Sequence, residues 1–264
     1  MSAVRPSREI SVVVTGAAGG MARGINSCLA EAGYHLILTD REQSLVDEAA
    51  DAVREAGGTA DAYAVDVTSQ ESVDSLMAAI EKSGRGVDGL INAAGVLDRK
   101  FLFDLDADSF SDVLQVNLVG PFRMIRASAQ QMIDQRWGRI INISSIAGTV
   151  GYVFPSYASS KAGLSNLTRS LLIDFWGTGV TVNAICPGVV DTPMAAQSVR
   201  ERLPLKVPTE SIIDPVEIGR MCVYLMSDDA TSVNGANLVI DGGATAQFLL
   251  FDPPRPGLKN PTTS

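Results

Sequence analysis

A basic excess is the first thing missing from this 264-residue chain. Lys and Arg number 21 against 30 Asp and Glu, for a net charge of −9. An acidic chain has no general attraction for phosphate backbones or anionic bilayers, so neither nucleic acid nor a membrane is an expected partner. Long apolar runs are missing too: none approaches the ~18 residues that span a bilayer. The polar opening from Met1 to Glu9 has no apolar h-region, and no secretory signal is expected. Cysteine is scarce. Cys28, Cys186 and Cys222 lie in unrelated segments, and an odd count without ligand spacing implies reduced thiols and a cytoplasmic location, not disulfides. A single histidine, His35, leaves no Ser-His-Asp triad and no His cluster, so no metal site is expected. What is present is 46% apolar and 19% charged residues, enough for a sizeable core.

Strand-like and helix-like segments alternate along the chain. Apolar, β-branched runs at 10–15, 35–39, 59–65, 87–92, 139–143, 180–185 and 236–240 read as seven strands. Between them, helical patterns run from about 21 to 32, 42 to 56, 70 to 83 (with Thr68 as a candidate cap), 109 to 135, 155 to 176 and 215 to 226. Pro121 should bend the fourth of these or leave a carbonyl free. The strands are apolar on both sides, as in a sheet covered by helices on both faces. Right-handed crossovers then give an α/β fold with a doubly wound, mostly parallel seven-stranded sheet. No linker or repeat divides residues 1–264, so one domain is expected. A tail follows from about 244, apolar at Phe248 to Phe251 and Pro-rich beyond.

Ligands bind such sheets at the carboxyl ends of the strands. Gly16-Ala17-Ala18-Gly19-Gly20 follows the first strand directly. Glycines there let the backbone approach a pyrophosphate, which suits the following helix N-terminus. Asp40 ends the second strand, where a carboxylate can bond a ribose 2′-hydroxyl and repel a 2′-phosphate. That favours NAD over NADP, although Arg41 stands next to it. Farther on, Tyr157 and Lys161 are four apart and share a helix face. A neighbouring ammonium favours phenolate, which gives Tyr157 a path to acid/base chemistry below its ordinary pKa of about 10.

Taken together, these residues resemble the short-chain dehydrogenase/reductase family, in its single-domain Rossmann-fold branch, over about residues 10–243. Thr15-Gly16-Ala17-Ala18-Gly19-Gly20-Met21-Ala22 is similar to the family's TGxxxGxG turn, with Ala22 for the last glycine. Asp66-Val67 resembles the pair that meets the adenine amino group. Asn92-Ala93-Ala94-Gly95 resembles NNAG, with Ala93 for the second Asn. Pro187-Gly188, Val190 and Thr192 resemble the segment that holds the nicotinamide carboxamide. By the same resemblance, Tyr157 is the acid/base of YxxxK. Lys161 binds the nicotinamide ribose and lowers the tyrosine pKa. Asn117 offers its backbone carbonyl to a relay water. For the serine, Ser145 completes SxxG with Gly148 and leaves a gap of twelve to Tyr157, whereas Ser144 gives thirteen and breaks that pattern. Ser145 is therefore the expected substrate-side serine.

The implied activity is hydride transfer between NAD and a secondary alcohol or its ketone. The expected pocket wall, 97–103, 146–154 and 189–205, includes Leu97, Phe101, Val150, Val153, Phe154, Met194, Leu203 and Leu205, which suits a hydrophobic or aromatic small molecule. Two other functions compete. A 3-oxoacyl-[acyl-carrier-protein] reductase resembles the chain overall, but Asp40 opposes NADP, and Gly177-Thr178-Gly179 carries no base for an acidic carrier. A non-catalytic NAD-binding scaffold is opposed by the complete Asn117, Ser145, Tyr157, Lys161 set. The resemblance also implies a homo-oligomer, a tetramer built on the paired helices at 109–135 and 155–176.

Overall fold

The computed structural model describes residues 9–195, 197, 200 and 207–246. Leu203, Leu205 and the apolar run Phe248 to Phe251 lie outside them. Seven parallel strands form one sheet in the order β3-β2-β1-β4-β5-β6-β7. They are β1 Ser11–Thr15, β2 His35–Asp40, β3 Thr59–Ala64, β4 Gly89–Asn92, β5 Gly138–Ile143, β6 Val180–Pro187 and β7 Asn237–Ile240. The helices are α1 Gly20–Glu31, α2 Gln43–Glu55, α3 Gln70–Lys82, α4 Ala107–Leu114, α5 Gly120–Asp134, α6 Pro155–Ser170 and α7 Pro215–Met226.

Strand pleating sends neighbouring side chains to opposite faces. Val12 and Val14 of β1 join one core with Ile25, Leu29, Leu225 and Trp137, while Val13 joins the other with Leu76, Ile80 and Met124. The central strands are buried throughout, but β3 and β7 are partly exposed, as edge strands are. Register places the strand ends side by side: Thr15 opposite Thr39 and Asn92, Asn92 opposite Asn142, and Ile143 opposite Ile185. The order reverses between β1 and β4, so the crevice opens beside Thr15 and Asn92.

Several local expectations change. Ser69, not Thr68, caps α3, accepting the Ser72 N–H at 3.2 Å. The Thr68 hydroxyl is taken by Asp66 at 2.7 Å. The expected helix over 109–135 is two helices joined by a π-helical turn, Gln115–Val119. Pro121 sits in the first turn of α5 and has no N–H to return to the Asn117 carbonyl four residues back. The fifth helical pattern, expected to reach 176, yields a helix that stops at Ser170. The remainder turns, burying Phe175 and leaving Trp176 82% exposed. Among the described residues, no helix is long and apolar enough to cross a membrane.

Helices α1 and α7 cross where Gly24 faces Pro215 and Val216, and Gly219 faces the Gly24 carbonyl. A methyl group at either position meets backbone that cannot swing aside. Gly24→Ala should lower the urea-unfolding free energy by about 1–3 kcal/mol. An unchanged unfolding midpoint contradicts this packing.

Candidate active site

Thr15 ends β1, and its hydroxyl accepts the N–H groups of Ala93 and Ala94, both at 3.2 Å. This bond ties the glycine turn to the loop after β4. Gly16 takes φ +66°, and a Cβ there would lie 2.6 Å from the Ala94 Cα; only glycine fits both conditions. Gly19 N–H closes the turn on the Gly16 carbonyl at 3.0 Å. Helix α1 then starts with no side-chain cap and no acid in its first turn. Ser69, Asp106 and Asp214 cap α3, α4 and α7, while α2, α5 and α6 also begin without a side-chain cap. The free N–H groups and positive end of α1 suit an anion such as a dinucleotide phosphate. Met21 follows Gly20, with its side chain packed on the core.

Asp40 reaches over this turn. Its carboxylate accepts the Ala18 N–H at 3.1 Å and the Arg41 N–H at 2.7 Å. The end of β3 lies alongside, through Val65 N–H to the Asp40 carbonyl at 2.8 Å. Asp66 accepts the hydroxyl and the N–H of Thr68, which hold its carboxyl below the usual range. Val67 next to it is buried. Asn92 is buried and donates to Asn142 at 2.8 Å. Across the crevice, Pro187 ends β6, and Gly188 N–H bonds the Ile240 carbonyl at 2.8 Å. Val190 bridges to Ile213. Thr192 is buried against Gly20, where a Cβ would lie 3.0 Å from the Thr192 Cβ. The dinucleotide-side residues expected from sequence therefore share one edge of the sheet, and the glycine cradle fits the group they were expected to hold.

The second cluster stands at the end of β5. Ser144 and Ser145 diverge there. Ser144 turns inward: its hydroxyl donates to the Lys161 carbonyl at 2.9 Å and shares a 2.7 Å bond with Ser165. Ser145 turns toward Tyr157, where its hydroxyl lowers the phenol's pKa, while accepting the Ala147 N–H at 3.1 Å. The short turn Ile146–Gly148 follows. A Cβ on Gly148 would lie 2.6 Å from the Lys161 carbonyl carbon and the Ala162 nitrogen. Glycine here lets the turn press against the backbone of α6.

Lys161 is buried, and its ammonium donates to the Ile143 carbonyl at 2.8 Å. It stands 5.7 Å from the centre of the Tyr157 ring. Burial pushes the Lys161 amine down to about 8. Tyr157 does not follow the expectation from spacing. Burial holds its hydroxyl above the ordinary value, and Tyr152 adds to that rise, while the Ser145 hydroxyl opposes it. With the chain's own groups, desolvation is the largest cause.

Asn117 is fully buried in the π-turn. Its amide exchanges hydrogen bonds with both backbone groups of Val96, at 2.8 and 2.9 Å, and donates to Ser160 at 3.0 Å. Ser160 in turn donates to the Tyr157 carbonyl at 2.7 Å. Gly95 lies against both Asn117 and Lys161. The structure thus brings Asn117, Ser145, Tyr157 and Lys161 together. The resemblance pointed to the Asn117 carbonyl; the clamp made by its side chain was not foreseen, nor was the role of the Thr15 hydroxyl.

A family model described as enoyl-(acyl carrier protein) reductase matches residues 16–245. The chain is 36% identical over 243 residues to a cis-4-hydroxycyclohexanecarboxylate dehydrogenase of Sinomonas cyclohexanicum, covering 90% of this chain and 97% of that one. It is 33% identical over 235 residues to a 3-oxoacyl-[acyl-carrier-protein] reductase of Vibrio cholerae, covering 88% and 95%. The chain belongs to the short-chain dehydrogenase/reductase family. An actinorhodin polyketide ketoreductase crystallised with NADPH superposes with a TM-score of 0.86 at 32% identity, over 91% of this chain and 99% of that one. As a short-chain dehydrogenase/reductase the protein is an oxidoreductase of CH–OH groups that uses a nicotinamide cofactor.

The buried lysine makes a prediction about stability. Lys161 sits at about 8 in the fold and near the ordinary ~10.4 in the unfolded chain. Between those values the unfolded chain holds a proton that the folded chain has shed, so stability rises with pH across the window and is reduced below it. Wild type should gain on Lys161→Met by on the order of 3 kcal/mol from about pH 7 to above 10 in urea unfolding. A pH-independent difference contradicts the burial of this charge.

Proposed function

We propose that this chain is an NAD-dependent oxidoreductase that interconverts a hydrophobic or aromatic secondary alcohol and its ketone. The observation that carries this is the buried Lys161 ammonium 5.7 Å from the Tyr157 ring, with the Ser145 hydroxyl on the Tyr157 side of the β5 end. Bound nicotinamide supplies the carbon that accepts or gives the hydride. The Tyr157 oxygen takes the hydroxyl proton in alcohol oxidation and returns it in ketone reduction. Ser145 holds the substrate oxygen as its charge changes. Lys161 supplies positive charge that favours phenolate, and its anchor on Ile143 fixes where that charge sits. Asn117 acts through position: its clamp on Val96 and its bond to Ser160 hold the loop after β4 against α6.

Asp40 supports NAD as the preferred cofactor. Its carboxylate covers the turn at Ala18, and a 2′-phosphate placed there meets like charge in a partly buried site. The rival, a 3-oxoacyl-[acyl-carrier-protein] reductase, draws support from relatives of that name at 32–33% identity. Arg136 donates to the Gly177 carbonyl at 3.0 Å, so a base lies beside the turn that carries none itself. The cofactor and the substrate, not surface charge, then separate the two. We propose a homo-oligomer on the strength of the family, with a small-molecule substrate as the functional partner.

Tyr157→Phe should lower kcat by about 10²–10⁴-fold while NAD still binds. Wild type should oxidise secondary alcohols with NAD in preference to NADP. Retained turnover in Tyr157→Phe sinks the acid/base role. Activity confined to NADPH and an acyl thioester favours the carrier-protein reductase, and NAD binding with no turnover of any substrate favours the scaffold.

A further inference from the structure

A row of aromatic rings leads away from Tyr157. Tyr152 stands with its ring centre 6.0 Å from that of Tyr157, inclined at 52°. Phe154 meets Tyr152 nearly edge-on, at 5.6 Å and 78°. Phe101, from the loop after β4, meets Phe154 at 5.6 Å and 51°. Only 6% of the chain is aromatic, yet four of its rings stand in line at the reactive phenol. Two of them are open to solvent: Tyr152 is 42% exposed and Phe101 56%. Single exposed apolar residues are ordinary, but a contiguous apolar strip that ends at a reactive group has a use.

We infer that this row seats the substrate's own aromatic ring, carried on the reacting carbinol carbon, and that Tyr152 is the residue that selects it. This rests on the alcohol–ketone reaction proposed above. With the reacting oxygen held by Ser145 and Tyr157, a substituent on its carbon lies next to the Tyr152 ring, one ring spacing away. Successive rings in the row are tilted, so both faces and edges are on offer, and aromatic partners favour such offset and edge-to-face arrangements. A flexible alkyl chain gains only buried area from the same surface.

Charge near the row favours a neutral ring over an acid. Arg99 is bonded to the Met194 carbonyl at 2.7 Å. Lys100 is bonded to Ser109 at 2.7 Å and lies 3.8 Å from both Asp98 and Asp106. The two cations of the loop that carries Phe101 are thus already engaged. In this the chain differs from what its dehydrogenase relatives' names imply, since a hydroxycyclohexanecarboxylate and a hydroxybutyrate are acids.

The test is kcat/KM with NAD for 1-phenylethanol, 2-octanol and 3-hydroxybutyrate in wild type, Tyr152→Ala and Tyr152→Phe. Wild type should favour the aryl alcohol over the other two by about tenfold. Tyr152→Ala should lower the aryl-to-alkyl ratio by about tenfold, and Tyr152→Phe, which keeps the ring, should preserve it. The inference is overturned if the ratio survives Tyr152→Ala, if Tyr152→Phe loses it as fully as alanine does, or if wild type favours either non-aromatic substrate. Those outcomes leave the alcohol–ketone reaction standing. Failure to oxidise any secondary alcohol with either cofactor removes that reaction, and the inference with it.

Discussion

The bond from the Lys161 ammonium to the Ile143 carbonyl is the constraint on which the rest of the site depends. It places a charge at the end of a central strand, where burial drives its pKa down to about 8. Such a position is costly unless the ammonium is hydrogen-bonded, and the sequence around it is arranged to hold the geometry. Ser144 donates to the Lys161 carbonyl and Ser165 braces Ser144, while Gly148 lets the Ile146–Gly148 turn lie against the same stretch of backbone. Helix α6 is therefore seated on the end of β5 around Lys161. Tyr157, one helical turn earlier, comes to face Ser145 as a consequence.

The dinucleotide side obeys a similar logic with fewer charges. Thr15 holds the loop after β4, Gly16 lets that loop approach, and α1 presents an uncapped N-terminus to the crevice. The two halves meet through Gly95 and Asn117. Asn117 bonds Val96 on one side and Ser160 on the other, so the loop carrying Gly95 is fixed relative to α6. The proposed cofactor seat and proton-transfer pair thereby share one edge of the sheet.

Much of this could be read from residue pattern. A β-branched run, a glycine turn, an amphipathic helix and an acid after the next strand leave little freedom, and the first β-α-β unit follows from them. The choice of Ser145 over Ser144 rested on Gly148, and the same glycine is what packs against Lys161. Other features depend on distances that no local pattern carries. Pro121 signals a break, but a bend and a π-turn look alike in sequence. Thr68 and Ser69 are both capable caps, and the choice turns on Asp66 taking the threonine hydroxyl. Leu171 to Phe175 continue the apolar pattern of α6, yet the helix ends before them. The Tyr157–Lys161 spacing suggested a lowered phenol pKa, whereas the depth of burial, which spacing does not encode, reverses the direction.

That reversal is the most exposed part of the account. The chain alone holds the Tyr157 pKa above its ordinary value, and in the proposed reaction bound NAD would supply the added positive charge that favours phenolate. The direct measurement is an ultraviolet difference titration of the Tyr157 phenol, taken as wild type minus Tyr157→Phe, with and without saturating NAD. The account predicts a pKa above the ordinary ~10 for the protein alone and a clear fall when NAD is bound. A phenol that already titrates below 10 without cofactor, or one that NAD leaves unmoved, contradicts it.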